Sequence, residues 1–557
     1  MVDENFERVV HARQIVVEIP QIRSPMKREQ DLARSTGAIF HRGFLLLFLC
    51  GLLSAIAWCQ HSGQDLPTND FERFGKDLDG IRNQLHIPGI AAAIVEDGRI
   101  VWGRDFGFAN LNAKFPVTAS TEFCIASLSK TMAAVILMQL REAGQLQLDE
   151  PMLKYLPDSG LSANITIREV MSHTSDGLPG EEFLYNGARY ALLSNLIEKI
   201  TGEPYASVIL ERIVRPLGMN STIPGLNAPG YEALQQKLAQ PYQWDENSST
   251  GVRAGDLPAP SLSAANGIVS TVNDLAKYAI ALDGDKLVRE ESKVAMFTPV
   301  RSTRGEYLPF GLGWFVQIYL GRKLVWHFGQ EDGYASLFVR IPDRKLTLIV
   351  LANSNAMSNA FRLLDGNAAH SLVALDFLKD VVLGHAPAKS GVRRQFEFDE
   401  DFDRSLASLY LDRHEGAVSF TRAAFKTGID QADSDVTMLY LFTHLHDSSF
   451  NPMTVTIGTE LVRQHPNLPP ALFYLGIFDE QTGQFERAVP LFERVAEIQP
   501  PLCHWTTVLA LLELGKWYKD RDPSRSREYL QRIIAIGWNL DGAVDQARQS
   551  LKELPYP

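Results

Sequence analysis

Cysteine is scarce, with four residues in a chain of 557. Cys50 and Cys59 lie in or beside an N-terminal apolar segment, whereas Cys124 and Cys503 are far apart. That excludes a disulfide framework, and no Cys/His spacing resembles a metal site. Neither a metal nor an organic cofactor is expected. Positive charge is also short: 54 Lys and Arg face 66 Asp and Glu, for a net charge of −12. No Lys/Arg cluster offsets this, so nucleic acid is not an expected partner. Long apolar runs are missing too. The clearest, residues 43–58 (GFLLLFLCGLLSAIAW), is short for a membrane span of about 20 residues.

That run has another reading. Arg34, His41 and Arg42 precede it, and Ala55-Ile56-Ala57 matches a small-x-small cleavage site. This is the pattern of a secretory signal peptide. The stretch before it is long, and Met26-Lys27-Arg28 would make a more ordinary start. If uncleaved, the segment would act as a single N-terminal anchor. Residues 1–60 are therefore read as an extension with a signal peptide or membrane anchor. The protein is expected to be exported, to the periplasm or the outside.

A chain this long predicts two or three domains. After a polar linker, Gln60 to Asn69, two apolar runs are joined by Asp97-Gly98, a hairpin signal. An amphipathic helix is predicted from Thr131 to Ala143, ended by Gly144. Helices and loops fill residues 150–300. Strands return at Gly313–Tyr319, Lys323–Trp326, Ser336–Ile341 and Leu346–Leu351. Strands at both ends with helices between predict one antiparallel sheet built from both ends of the domain. Beyond residue 390 the chain reads as helical, with Arg393–Arg404 as a charged linker. Leu472-Phe473-Tyr474-Leu475-Gly476, then Gly483, Ala488, Phe492 and Pro500, resemble one tetratricopeptide repeat of about 34 residues. The neighbouring windows, 435–468 and 503–536, fit that pattern poorly.

The chemistry centres on Ser127-Leu128-Ser129-Lys130. In a helix this spacing brings a hydroxyl and an amine onto one face. A serine hydroxyl needs an adjacent base to become a nucleophile, and a desolvated lysine can serve. The pattern alone is weak: Ser24-Pro25-Met26-Lys27 matches it as well. Its company is more specific. Ser172-His173-Thr174-Ser175 precedes Gly177-Leu178-Pro179. Then come Pro216-Leu217-Gly218-Met219, Gly267-Ile268-Val269-Ser270-Thr271, and Phe310-Gly311-Leu312-Gly313-Trp314. In order and spacing, over roughly residues 70–355, this set resembles the serine β-lactamase and penicillin-binding family. The nearest branch holds class C β-lactamases, DD-peptidases and related esterases.

The resemblance implies an α/β fold for residues 68–385: an antiparallel sheet flanked by helices, with a helical lobe. An all-α helical-repeat domain, residues 400–557, follows. It implies Ser127 as nucleophile at a helix N-terminus, with Lys130 helping to deprotonate it. In the family's Tyr-x-Asn element, Tyr185 takes the tyrosine position and would shuttle the proton, its pKa lowered by the nearby lysine. Gly187 stands where the family has Asn or Ser, and Asn186 would point elsewhere. The family's Lys-Thr-Gly or His-x-Gly element is His327-Phe328-Gly329. Gly329 would let the strand approach the substrate, and the backbone amides of Ser127 and Gln330 would form an oxyanion hole. His327 and Phe328 would make the wall less cationic and more apolar.

Two readings follow. In the first, the protein is an exported serine hydrolase that forms an acyl-enzyme with an ester, amide or D-peptide, or β-lactam, on small-molecule or peptidoglycan-like substrates. In the second, it is a binding or sensor module with impaired turnover, whose repeat domain recruits a protein or peptide.

Overall fold

A computed structural model describes residues 68–230, 232–258, 262–384, 390–427, 432–498, 504–536 and 542–555. The expected signal or anchor segment at 43–58 lies outside these residues. Among the described residues, no helix is long and apolar enough to cross a membrane.

The chain opens with α1 (Thr68–Gln84), which takes up the end of the expected polar linker. Then come β1 (Gly89–Glu96) and β2 (Arg99–Asn110). Their turn holds Asp97 at φ 47° and Gly98 at φ 77°, both left-handed, as the hairpin signal required. Short strands β3 (Phe115–Pro116), β4 (Phe123–Cys124), β5 (Tyr242–Trp244), β6 (Val252–Ala254) and β7 (Val269–Ser270) follow. The C-terminal half of the sheet comes from β8 (Phe315–Tyr319), β9 (Arg322–Glu331), β10 (Tyr334–Ile341) and β11 (Leu346–Ala352). The seven-stranded sheet has the order β3-β2-β1-β11-β10-β9-β8, with antiparallel pairing throughout. Both ends of the domain build it, as the sequence predicted.

Side-chain alternation explains the layers. In β1, Ala91, Ala93 and Val95 face one core and Ile90, Ala92 and Ile94 the other. The first core is shared with α2 (Ser129–Glu142) and the helical lobe; the second is closed by α1 and by residues 372–382. The predicted amphipathic helix is α2, and it differs from expectation. Eleven of its 14 residues are buried, because it lies between the sheet and the lobe. The lobe includes α3 (Ile167–Met171), α4 (Gly187–Thr201) and α5 (Val272–Asp283).

The expected linker at Arg393–Arg404 is instead part of a 21-residue helix, α6 (Ser390–Tyr410), and the expected boundary at 400 falls inside it. Its charges pair along the helix, Arg393 with Glu397 and Arg404 with Glu400, while Phe398, Phe402 and Leu406 form a buried stripe at four-residue spacing. Helices α7 (His414–Thr427), α8 (Ala432–Leu445), α9 (Asn451–Gln464), α10 (Pro469–Gln481), α11 (Phe485–Glu497), α12 (His504–Tyr518), α13 (Pro523–Ile536) and α14 (Ala543–Glu553) complete the chain. The windows that matched the repeat poorly each hold a helix pair, α8–α9 and α12–α13.

The helical region packs on the first domain. Ala407 of α6 and Leu411 just beyond its end join the core behind the sheet, and Leu184 of the lobe joins the helical core. Tyr319 donates to Asp399 at 2.6 Å, and the Arg362 guanidinium lies over the Tyr440 ring at 4.1 Å.

Candidate active site

Ser127 sits in a short turn, Ala126–Leu128, that runs into α2. Ala126 has φ 47°, a left-handed conformation that costs a non-glycine residue about 1–3 kcal/mol. Surrounding bonds hold it there: Ile125 donates its N–H to Ile268 O at 3.0 Å and accepts from Ser336 Oγ at 2.8 Å. Ser127 is half-buried, and Lys130, one turn further on, is 1% exposed.

Lys130 Nζ donates to Ser127 Oγ at 2.8 Å and to Ala265 O at 3.0 Å. It also lies over the rings of Tyr185, at 5.0 Å, and Tyr190, at 5.6 Å. Burial pushes its pKa down to about 7, with Glu331 acting in the opposite direction. Near neutral pH a large fraction of Lys130 is therefore an uncharged amine beside a serine hydroxyl.

Tyr185 precedes α4, whose N-cap is Asn186. Its hydroxyl is buried and makes no regular hydrogen bond, although the neighbouring Ser127 hydroxyl partly offsets the burial. The expected lowering of its pKa does not occur: burial raises it well above 10. Tyr185 thus stays a proton donor across the ordinary pH range.

Gly187, first residue of α4, lies against Lys130, and a Cβ added there would stand 4.0 Å from Nζ. A side chain at this position, where the family has Asn or Ser, would start beside the lysine. Asn186 is occupied elsewhere: Oδ1 accepts from Arg189 N at 2.9 Å and Nδ2 donates to Asp176 at 3.2 Å.

The third element lies on β9. β8 pairs only with Arg322–Trp326, so among the described residues the strand beyond, from His327, has no paired strand on that side. Gly329 meets the serine turn there; a Cβ on it would fall 2.2 Å from Ile125 O and 3.1 Å from Ala126 Cβ, so only glycine fits. This contact brings Gln330, the next residue, beside the turn that carries Ser127. His327 is fully buried and its Nδ1 lies 2.6 Å from Phe328 O. Burial, followed by Lys130, pushes its pKa down to about 3, so it carries no charge. Phe328 is buried as well, in an aromatic group with Tyr185, Phe315 and Trp326.

Sequence reasoning assigned no part to three groups at this site. Ala265 supplies a carbonyl to Lys130, Glu331 supplies a field and binds Asn266 at 3.3 Å, and His173 stacks on Tyr185. The string containing His173 was visible, but nothing in it named the ring's neighbour. Among the described residues, no His, Cys, Asp and Glu side chains gather into a group that could hold a metal ion.

The sequence profile of the Beta-lactamase family matches residues 71–371. Penicillin-binding protein 4* of Bacillus subtilis (strain 168) is 29% identical over 317 residues, which cover 49% of this chain and 69% of that protein. Unguisins hydrolase ungD' of Aspergillus campestris is 29% identical over 357 residues, covering 55% of this chain and 65% of its own. Among solved structures, the octameric penicillin-binding protein homologue from Pyrococcus abyssi is 25% identical, with a TM-score of 0.49, covering 59% of this chain and 81% of that one. The family profile spans more than half of the chain and includes each predicted site residue. The chain belongs to the Beta-lactamase family of serine hydrolases.

Proposed function

We propose that the protein hydrolyses an ester, amide or lactam through an acyl-enzyme on Ser127. Neutral Lys130 takes the Ser127 proton as the oxygen attacks the carbonyl carbon. The backbone amides of Ser127 and Gln330 receive the developing oxyanion, where fixed donors contribute most. Tyr185, protonated, gives its proton to the leaving group and regains one from Lys130. Water then releases the acyl group by the reverse relay. The observation that carries this reading is the 2.8 Å contact between a buried lysine amine and the Ser127 hydroxyl.

Substrate class follows from what surrounds that contact. His327 is neutral and buried, so the lysine cation of the Lys-Thr-Gly version is missing. This favours an ester or peptide amide over a carboxylate-bearing β-lactam. Relatives named as a penicillin-binding protein and an unguisins hydrolase are compatible with that range. Export through residues 1–60, anchoring through 43–58, and a tetratricopeptide-like surface for a protein or peptide on α8–α13 belong to the same proposal.

Gly187 favours a second reading, a binding or sensor module, because it leaves Lys130 without the family's amide. A screen of p-nitrophenyl esters, D-peptide amides and β-lactams, with Ser127→Ala as control, decides between them. Turnover lost in Ser127→Ala supports the hydrolase; no turnover, with specific binding retained, supports the module.

A further inference from the structure

His173 is 2% exposed and follows α3 with φ 55°, in the left-handed region. A non-glycine residue kept there is a strained position that its surroundings enforce. The bonds it makes are unusual in their targets. Its carbonyl accepts from Leu184 N at 2.7 Å, and its ring Nδ1 accepts from Asn186 N at 3.1 Å. These two donors are the residues on either side of Tyr185. The ring itself stacks on Tyr185, with centroids 4.2 Å apart and planes at 29°. Tyr190 and Phe310 close round the same imidazole, each at 5.0 Å.

The ring is electrically quiet. Burial, then Lys130 and His327, hold its pKa well below 6.5. With Nδ1 accepting, the proton of the neutral ring must sit on Nε2. That nitrogen is buried and has no hydrogen-bond partner among the described residues. A buried polar atom without a partner is unfavourable and calls for a reason. An apolar ring would avoid it, but could not accept the Asn186 N–H.

We infer that His173 is a positioning residue for Tyr185: its carbonyl and Nδ1 fix the backbone on both sides of the tyrosine, and its ring fixes the plane of the phenol. The inference rests on Tyr185 being the proton carrier. A phenol on the loop before α4 has free rotation unless its backbone and plane are held, and a displacement of about 1 Å can lower a rate about 10²-fold.

The test is a double-mutant cycle on the full chain, with matched amide and p-nitrophenyl ester substrates. The amide has the poor leaving group, so it needs the tyrosine proton most. Tyr185→Phe alone reports on the proton-carrier reading. His173→Ala is expected to lower amide kcat at least tenfold and ester kcat less, with KM nearly unchanged. His173→Asn keeps an acceptor and tolerates a left-handed backbone, so it should recover part of the loss. The His173→Ala/Tyr185→Phe double variant should be no slower than Tyr185→Phe, because the two act as one unit. Should His173→Ala fold poorly, the His173→Asn/Tyr185→Phe cycle reads the same coupling. Losses that multiply, or that strike ester and amide equally, would overturn the inference while leaving the proton carrier intact. If Tyr185→Phe leaves the amide rate unchanged, the proton carrier and the inference both fail.

Discussion

Lys130 reaches Ser127 Oγ at 2.8 Å from inside the protein, with a carbonyl of Ala265 at 3.0 Å on its other side. Both acceptors are uncharged, and among the described residues no carboxylate hydrogen-bonds to the amine. Desolvation therefore controls the protonation of Lys130, with Glu331 as the opposing field.

A pH dependence follows. If neutral Lys130 is the base, acylation should rise with pH through about 7 and flatten above it. His327 and His173 do not titrate in this window, being held neutral far below it. Glu331→Gln removes the charge that favours the ammonium form, so the acid limb should move to lower pH. Stopped-flow acylation across pH checks both; a limb that stays fixed in Glu331→Gln would contradict the assignment.

Gly187 leaves open space at the lysine. Asn at this position would place an amide where the added Cβ stands 4.0 Å from Nζ. Because no left-handed conformation is needed there, the substitution adds no backbone strain. Gly187→Asn should raise β-lactam acylation about tenfold, the upper scale of one hydrogen bond between neutral groups. Second-order labelling rates with a fluorescent penicillin measure it.

Glu122 tests the fold apart from the chemistry. It is fully buried and neither carboxyl oxygen has a hydrogen-bond partner among the described residues. Burial raises its pKa to about 7, against the pull of Lys237. The folded carboxyl thus keeps its proton up to about pH 7, whereas the unfolded one loses it near 4.5. Stability from this group is complete below the unfolded value and falls as pH rises through the folded one. Glu122→Gln should therefore be nearly neutral at about pH 4 and stabilising by about 1–3 kcal/mol at about pH 8. Denaturant melts at the two pH values give the comparison.

How much of the site could be read in the chain depended on distance along it. Ser127 and Lys130 are one helical turn apart, so local geometry alone brought them together. Tyr185, Gly187 and His327-Phe328-Gly329 were legible through their resemblance to a family. Ala265 and Glu331 were not, because their position at Lys130 depends on tertiary packing. A desolvated lysine was foreseen, but not how far the Lys130 pKa falls, since that depends on the packing around α2. The Tyr185 expectation failed for the same reason: it left out the burial of the phenol itself. The helix at Arg393–Arg404 was legible but hidden by its charges. Phe398, Phe402 and Leu406 already carried the helical period.

Covalent chemistry at Ser127 is tested most directly by intact-mass and peptide mass spectrometry after reaction with a fluorophosphonate and a fluorescent penicillin. A single adduct on the Ser127 peptide is expected, absent from Ser127→Ala and formed much more slowly by Lys130→Ala. No adduct on the wild-type chain, or an equal adduct on Ser127→Ala, would contradict the account.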